Sequence, residues 1–155
     1  MTLQASASSS DAESLPALKA RKEAVVIDTN IILDVFVFND LAAKPVRTAL
    51  EAGELDWIAT QAMRDELARV LGYPQIVPRL KFYQLSADDV LASFDRHARL
   101  IDAAAKTCLT CSDPDDQKFI DLAVASQALL LSKDRHVLSM SKKLTAHGVR
   151  VQTAI

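Results

Sequence analysis

Glycine is scarce in this chain of 155 residues, which contains three. The dinucleotide-binding fingerprint and the Walker pattern both need several closely spaced glycines, whose backbone can approach a phosphate group. Neither pattern can be written with the glycines that are present. The sequence therefore excludes an enzyme that binds a nucleotide cofactor through a glycine-rich loop.

The chain also lacks a strong excess of positive charge. Its formal net charge is −2 and its sequence pI is about 5.9, whereas proteins that hold nucleic acid by charge alone are strongly basic. A nucleic acid substrate would therefore have to be bound through a local basic patch or through a metal ion.

Long apolar runs and paired cysteine motifs are absent as well. No stretch approaches the ~18 consecutive apolar residues that cross a bilayer, and the first residues do not form a secretory signal. We therefore expect a soluble cytoplasmic protein that does not enter a membrane.

Cys108 and Cys111 form a lone C-x-x-C, which is compatible with a redox pair, half of a zinc site or two reduced thiols. No second cysteine pair completes the roughly four ligands of a zinc site.

The remaining composition fits a single globular domain, because half of the residues are apolar and a quarter are charged. Residues 2–14 are small and polar, and residues 1–22 are predicted to be a disordered leader. The folded domain is expected over residues 23–155.

Short apolar runs at 24–27, 57–59 and 129–131 predict buried strands, with a weaker edge strand at 149–151. Helical patterns lie between them, at 30–38, 42–52, 61–71, 86–103, 114–127 and 135–146. Strands that alternate with helices predict an α/β domain with a mostly parallel sheet.

Two acidic residues follow predicted strands at the point where each strand ends. Asp28 comes directly after the first strand, and Asp134 lies shortly after the strand at 129–131. In an open parallel sheet, ligands bind outside the carboxyl ends of the strands. Both side chains are therefore expected in one crevice at this edge of the sheet.

Two further acids lie on predicted helices beside apolar faces. At about 100° per residue, Asp116 shares a helix face with Phe119 and Ile120. In the helix at 61–71, Glu66 borders the apolar stripe that contains Leu67. Both acids can therefore face the sheet and its crevice.

Each acid also has a simpler interpretation. Asp113 and Asp116 lie where the start of a helix favours negative charge, with Asp113 as its N-cap. Asp28 and Asp134 could cap the helices that follow their strands, and Glu66 could be a solvated side chain. These separate interpretations do not predict that the acids should meet at one edge of the sheet, so we favour a shared site.

The segments that carry these acids resemble, in order, those of the PIN-domain family, and in particular its VapC-like group of toxins from bacterial toxin–antitoxin pairs. The resemblance covers about residues 24–140. It rests on VVIDTN at 25–30, RDELARVL at 64–71, DPDDQKFI at 113–120 and LLSKD at 130–134.

The resemblance implies a three-layer α/β/α sandwich with a central, mostly parallel sheet. It places the family's four acidic positions, which are catalytic and bind metal, on Asp28, Glu66, Asp116 and Asp134. Further residues are expected to support the site: Asn30, Ser132, Asp34, which lies one helical turn after Asn30, and Asp113. The resemblance also implies hydrolysis of RNA to 5′-phosphate and 3′-hydroxyl ends, a homodimer and an antitoxin partner.

Crowded carboxylates explain why such a site needs a cation, since like charges raise one another's pKa. Oxygen ligands without cysteine or clustered histidine select Mg²⁺ or Mn²⁺ over zinc. Asp28 and Asp116 are expected as direct ligands, and Glu66 and Asp134 through water or a second ion. Metal-free cleavage through the ribose 2′-hydroxyl usually needs paired acid and base groups, most often histidines, and the three histidines of this chain show no pairing in the sequence.

The chain departs from the family pattern where Ser132-Lys133-Asp134 stands in place of the common Thr-Gly-Asp. Lys133 and Lys118 could each contact a substrate phosphate or be ordinary solvated side chains.

Two other functions stay open at this point. A haloacid-dehalogenase-like phosphohydrolase would use Asp28 as its nucleophile, but Asn30 cannot serve as the proton donor that such an enzyme needs. A catalytically silent PIN-like module would bind RNA or a protein without cutting, although all four acids are present.

Overall fold

The computed structural model describes residues 22–155. The predicted disordered leader at 1–22 lies outside the described residues, except for Lys22, which directly precedes the first strand. Five strands and eight α-helices are found in the described part of the chain. None of the helices in this part is long and apolar enough to cross a membrane.

The sheet is parallel throughout. Its strands are β1 (Glu23–Ile27), β2 (Leu55–Ala59), β3 (Ala98–Leu100), β4 (Leu129–Leu131) and β5 (Val151–Gln152). They lie in the order β3-β2-β1-β4-β5, and every neighbouring pair is parallel. The prediction of a mostly parallel sheet is therefore confirmed.

The helices connect successive strands, as a parallel sheet requires. They are α1 (Thr29–Phe36), α2 (Lys44–Glu51), α3 (Gln61–Val70), α4 (Val77–Phe82), α5 (Ala87–His97), α6 (Gln117–Ser126), α7 (Arg135–Leu138) and α8 (Ser141–Ala146). Short 3₁₀ turns precede α2 and α6, at Leu41–Ala43 and Pro114–Asp116. The arrangement agrees with the predicted three-layer α/β/α sandwich.

The core lies around the three central strands, each of which ends in three consecutive apolar, buried residues because both faces of the sheet are covered there. Val25 and Val26 of β1 are fully buried. In β2, the Trp57 ring lies 6.1 Å from that of Phe36 and 5.0 Å from that of Phe94, which it meets edge-on. These aromatic contacts attach α1 and α5 to the sheet.

The predicted helix at 86–103 is too long, because α5 ends at His97 and the chain continues as β3. A capping box between Ser86 and Asp89 sets the start of α5. At its end, residues 98–100 pair with β2, and the Ile101 amide donates to the carbonyl of Ala59 at 2.8 Å. The open edge of β2 supplies these hydrogen bonds, and a local helical pattern contains no information about that edge.

Other boundaries differ from the sequence prediction in smaller ways. The helix predicted at 42–52 begins with the 3₁₀ turn, and the helix predicted at 135–146 is divided into α7 and α8. The weak edge strand predicted at 149–151 is β5, at Val151–Gln152. The short helix α4 was not predicted at all. Both cysteines are free thiols, with Cys108 exposed and Cys111 buried.

Candidate metal centre

The carboxyl ends of β1 and β4 bring two of the predicted site residues side by side. Ile27 pairs with Leu131, and the Asp28 amide extends the ladder by donating to the Leu131 carbonyl at 2.9 Å. Asp28, which follows β1, and Ser132, which follows β4, therefore lie at the same edge of the sheet. Both are buried.

Three carboxylates meet above this edge. Asp28, Asp116 and Asp134 each offer an oxygen, and these oxygens all lie within 4.8 Å of one another. Asp28 and Asp116 are buried and Asp134 is half-buried. We call this group the carboxylate trio.

One hydroxyl orients two members of the trio. Ser132 Oγ donates to Asp28 Oδ2 at 2.6 Å and accepts from the Asp134 amide at 3.0 Å. The carboxylate of Asp134 in turn accepts from the His136 amide at 2.8 Å, as the N-cap of α7. Because Ser132 is fully buried, its hydroxyl has few alternative partners and keeps both acids in place.

Asp116 reaches the trio through the turn at the start of α6. Asp113 caps this turn by accepting from the Asp115 amide at 3.0 Å, and Pro114 occupies its first position. The next turn of the helix buries Phe119 completely against the core. The predicted cap is therefore found at Asp113, whereas the side chain of Asp116 makes no capping hydrogen bond.

In the described part of the chain, no lysine, arginine or histidine forms an ion pair with the trio. Burial, and after it the charges of Asp28 and Asp134, raise the pKa of Asp116 to about 7. Burial also raises the pKa of Asp28, although the hydrogen bond from Ser132 opposes this rise. Among the described residues, Asp116 Oδ2 is a buried side-chain oxygen with no hydrogen-bond partner.

This arrangement fits a divalent cation. A buried, unpartnered carboxylate oxygen beside two further carboxylates is a set of hard oxygen donors, which suits Mg²⁺ or Mn²⁺ better than zinc. A cation would also offset the mutual repulsion that, after burial, contributes to the raised pKa values of Asp28 and Asp116. Asp28, Asp116 and Asp134 are therefore the residues that could hold an ion.

Glu66 lies in the same cavity, of about 200 Å³, but its two oxygens have other partners. Oε2 accepts from the Thr29 hydroxyl and Oε1 from the ammonium group of Lys118. Helix α3 places Glu66 here because Thr60 caps its start and Leu67, on the neighbouring face, is fully buried. The structure thus brings Glu66 to the site, outside the trio.

The predicted supporting residues are found in different places. Asn30 is exposed and lines the cavity, as does Asp113. Asp34 is buried and forms an ion pair with Lys133, so this lysine contacts a carboxylate of the protein itself.

Thr29 was not among the predicted site residues, and Lys118 and Lys133 were not predicted as partners of Glu66 and Asp34. Thr29 lies in the DTN segment and Lys118 in DPDDQK, so both residues belong to motifs that the sequence identified. Their contact with Glu66 could not be predicted from these motifs, because Lys118 and Glu66, for example, are 52 residues apart.

Comparisons with known proteins agree with the fold. The family described as PIN domain matches residues 24–136, a stretch that contains all four acids. The sequence has no significant match among curated proteins.

Among solved structures, the chain is similar to one in the crystal structure of VapBC2 from Rickettsia felis bound to a DNA fragment from their promoter. The TM-score is 0.57 and the sequence identity 14%, over 83% of this chain and 96% of that chain. A likeness at this level of identity indicates a shared fold. The family match, which covers most of the chain and its acidic segments, shows that this protein belongs to the PIN-domain family.

Proposed function

We propose that this protein is a metal-dependent endoribonuclease that hydrolyses RNA phosphodiester bonds. The observation that carries the proposal is the carboxylate trio, with the unpartnered Oδ2 of Asp116, in an open cavity at the carboxyl edge of a parallel sheet. Membership of the PIN-domain family supports it. The choice of RNA rests on the likeness of the motifs to those of the VapC-like group.

Asp28, Asp116 and Asp134 are the proposed ligands of Mg²⁺ or Mn²⁺. When bound, such an ion supplies a more acidic attacking water and positive charge beside the phosphate. The hydroxyl of Ser132 keeps the carboxylates of Asp28 and Asp134 in position, and the turn capped by Asp113 does so for Asp116. These contacts therefore hold the ligand carboxylates in position before a substrate binds.

The proposed reaction conserves atoms and charge in a simple way. The water oxygen forms a bond to phosphorus, and the bond from phosphorus to the 3′ oxygen breaks. The water loses a proton and the departing 3′ oxygen gains one. The products carry a 5′-phosphate and a 3′-hydroxyl group.

We also propose that the protein is a toxin with an antitoxin partner, and that it acts in the cytoplasm as a homodimer. The similar chain comes from a VapBC2 structure, and a basic side chain of a partner segment can pair with exposed carboxylates at the cavity. Light scattering over a wide concentration range tests the dimer, since a monomer mass throughout would contradict it. Co-purification with the product of the neighbouring reading frame tests the antitoxin.

A cleavage assay tests the central proposal. Purified protein is incubated with single-stranded RNA, structured RNA and DNA, each with Mg²⁺, with Mn²⁺ and with EDTA. We expect RNA cleavage with either ion, none in EDTA, and a rate reduced by about 100-fold or more in Asp116→Asn. Asp102→Asn, which removes the same charge from an exposed loop, should cleave like wild type.

Two results would contradict the proposal. Cleavage that is unchanged in EDTA would exclude a metal-dependent mechanism. Binding of RNA without cleavage would instead support the catalytically silent module. The haloacid-dehalogenase-like alternative has no further support, because Asn30 provides no titratable group at the cavity.

A further inference from the structure

We infer that this centre holds one divalent ion, and that the ammonium group of Lys118 takes the place of a second ion beside Glu66. The inference rests on the proposed metal-dependent function and deepens it. Among the acids that line the cavity, the carboxylate trio and Glu66 differ in their partners.

The trio is available to a cation, whereas Glu66 is not. The oxygens of the trio lie within 4.8 Å of one another, and one of them, Asp116 Oδ2, is buried without a partner. Both oxygens of Glu66 accept hydrogen bonds, from Thr29 and from Lys118. An incoming ion therefore finds an unpartnered oxygen and no ammonium group at the trio, whereas at Glu66 it would meet the positive charge of Lys118.

Further contacts fix the ammonium group of Lys118 beside Glu66. The ammonium group also donates to the Asp115 carbonyl at 2.6 Å, and it lies 5.0 Å from the centre of the Phe119 ring. The side chains of the pair are largely withdrawn from solvent, with exposed fractions of 25% for Lys118 and 15% for Glu66. Charge pairs that are partly buried are screened less than surface pairs, so they are harder to displace.

A second acid near the site is neutralised in the same way. Asp34, which was predicted as a supporting residue of the site, is paired with Lys133. Two lysines of the chain thus take Asp34 and Glu66 as partners. Of the acids that line the cavity, those without an ammonium partner in the described part of the chain are the three of the trio, which lie close enough together to share a single ion, and Asp113 and Asp115, whose carboxylates are not part of that cluster.

The ammonium group can also do what a second ion would do for a substrate. It has three N–H donors, and Glu66 and Asp115 accept two of them. The third has no acceptor among the described residues, and because Glu66 and Asp115 both line the cavity, a phosphate oxygen bound beside them can accept it. Lys118 therefore supplies positive charge to the substrate, and Glu66 positions it.

Calorimetric titration of the full-length, metal-stripped protein with Mn²⁺ tests this inference. The variant Lys118→Met removes the charge but keeps a similar length, and Lys118→Arg keeps the charge. Lys44→Met, on the exposed start of α2, is the matched control for loss of a lysine. Electron paramagnetic resonance provides a second readout, because two neighbouring Mn²⁺ ions couple magnetically and a single ion does not. Circular dichroism verifies that each variant is folded.

We expect one Mn²⁺ per chain in the wild type, in Lys44→Met and in Lys118→Arg. Lys118→Met should bind a second ion at least about tenfold more tightly than the wild type does and give the coupled signal. The double variant Lys118→Met/Glu66→Gln should return to one ion, because the freed carboxylate is then absent. This reversal distinguishes a site at Glu66 from general loosening of the fold.

Two tightly bound ions in the wild type would overturn the inference, and so would an unchanged stoichiometry and affinity in Lys118→Met. Either result leaves the proposed nuclease activity standing, because that activity is measured separately by RNA cleavage. A wild type that binds no ion would overturn both the inference and the proposed metal dependence.

Discussion

Replacement of Asp116 by Asn removes one negative charge from the buried trio with little change in side-chain shape. Burial and the neighbouring carboxylates raise the pKa of Asp116 from its ordinary value of 3.8 to about 7. The folded protein therefore holds this proton more tightly than the unfolded chain. The corresponding stability is fully present below pH 3.8 and is lost as the pH rises through 7. Metal-free wild type should accordingly become less stable over this range.

The size of the effect follows from the two pKa values. At 1.36 kcal/mol per pKa unit, a rise from 3.8 to about 7 corresponds to at most about 4 kcal/mol. The other carboxylates share part of this free energy. We therefore expect the free energy of unfolding of Asp116→Asn to exceed that of the metal-free wild type by about 1–3 kcal/mol at pH 8. In a domain of this size, this corresponds to a melting temperature roughly 2–12 °C higher. Near pH 4 the difference should fall below about 1 kcal/mol.

Thermal melts followed by circular dichroism at pH 4 and pH 8, in EDTA and then in Mg²⁺, measure these differences. Asp102→Asn is the control for loss of one charge at an exposed position. Mg²⁺ should raise the melting temperature of the wild type, since an ion at 100 times its Kd adds about 2.7 kcal/mol to the folded state. It should raise that of Asp116→Asn less.

One pattern of results would refute this reasoning. If Asp116→Asn melted below the wild type by the same margin at both pH values, with an unchanged response to Mg²⁺, then Asp116 would act as a favourable charge at a helix start. That role would cost up to about 1 kcal/mol on removal.

Two further predictions concern the support of the site and the core. Ser132→Ala leaves Asp28 and the Asp134 amide without their shared hydrogen-bond partner. We expect the free energy of unfolding in urea to fall by about 1–3 kcal/mol and Mn²⁺ binding, measured by calorimetry, to weaken roughly 10–100-fold. Unchanged Mn²⁺ binding would contradict the role given to this hydroxyl. Phe94→Ala removes a fully buried ring whose centre lies 5.0 Å from that of Trp57. We expect the free energy of unfolding in the same assay to fall by about 3–5 kcal/mol. A fall of less than about 1 kcal/mol would show that the packing against β2 readily rearranges.

The central strands could be predicted because their burial is recorded in the sequence. A strand covered on both faces is apolar over nearly consecutive positions, as the chain is at 24–27 in β1 and at 129–131 in β4. The edge strand β3 has three residues, of which two are exposed, so it carries no such pattern. Its existence depends on the hydrogen-bonding groups that β2 leaves open, and these are present only once the sheet has formed.

The site divides in a similar way. Asp28 and Asp134 lie just after buried strands, and Asp116 opens a helix beside its apolar face, so local patterns were enough to suggest that these acids converge. The resemblance added Glu66 to them, as a ligand that binds through water or a second ion. Local patterns contained no sign of Lys118 as its partner, because that contact joins α3 to α6 across 52 residues.

The sequence by itself determined an α/β domain with a parallel sheet, a set of acids directed to the carboxyl edge of that sheet, and a ligand chemistry of hard oxygen donors. These features depend on periodicity and residue type, which short segments carry independently of one another. The tertiary structure alone decided which carboxylates lie within 4.8 Å of each other and which are paired with lysines. Such pairings depend on distances between side chains of separate elements, and the packing of those elements on the sheet sets these distances.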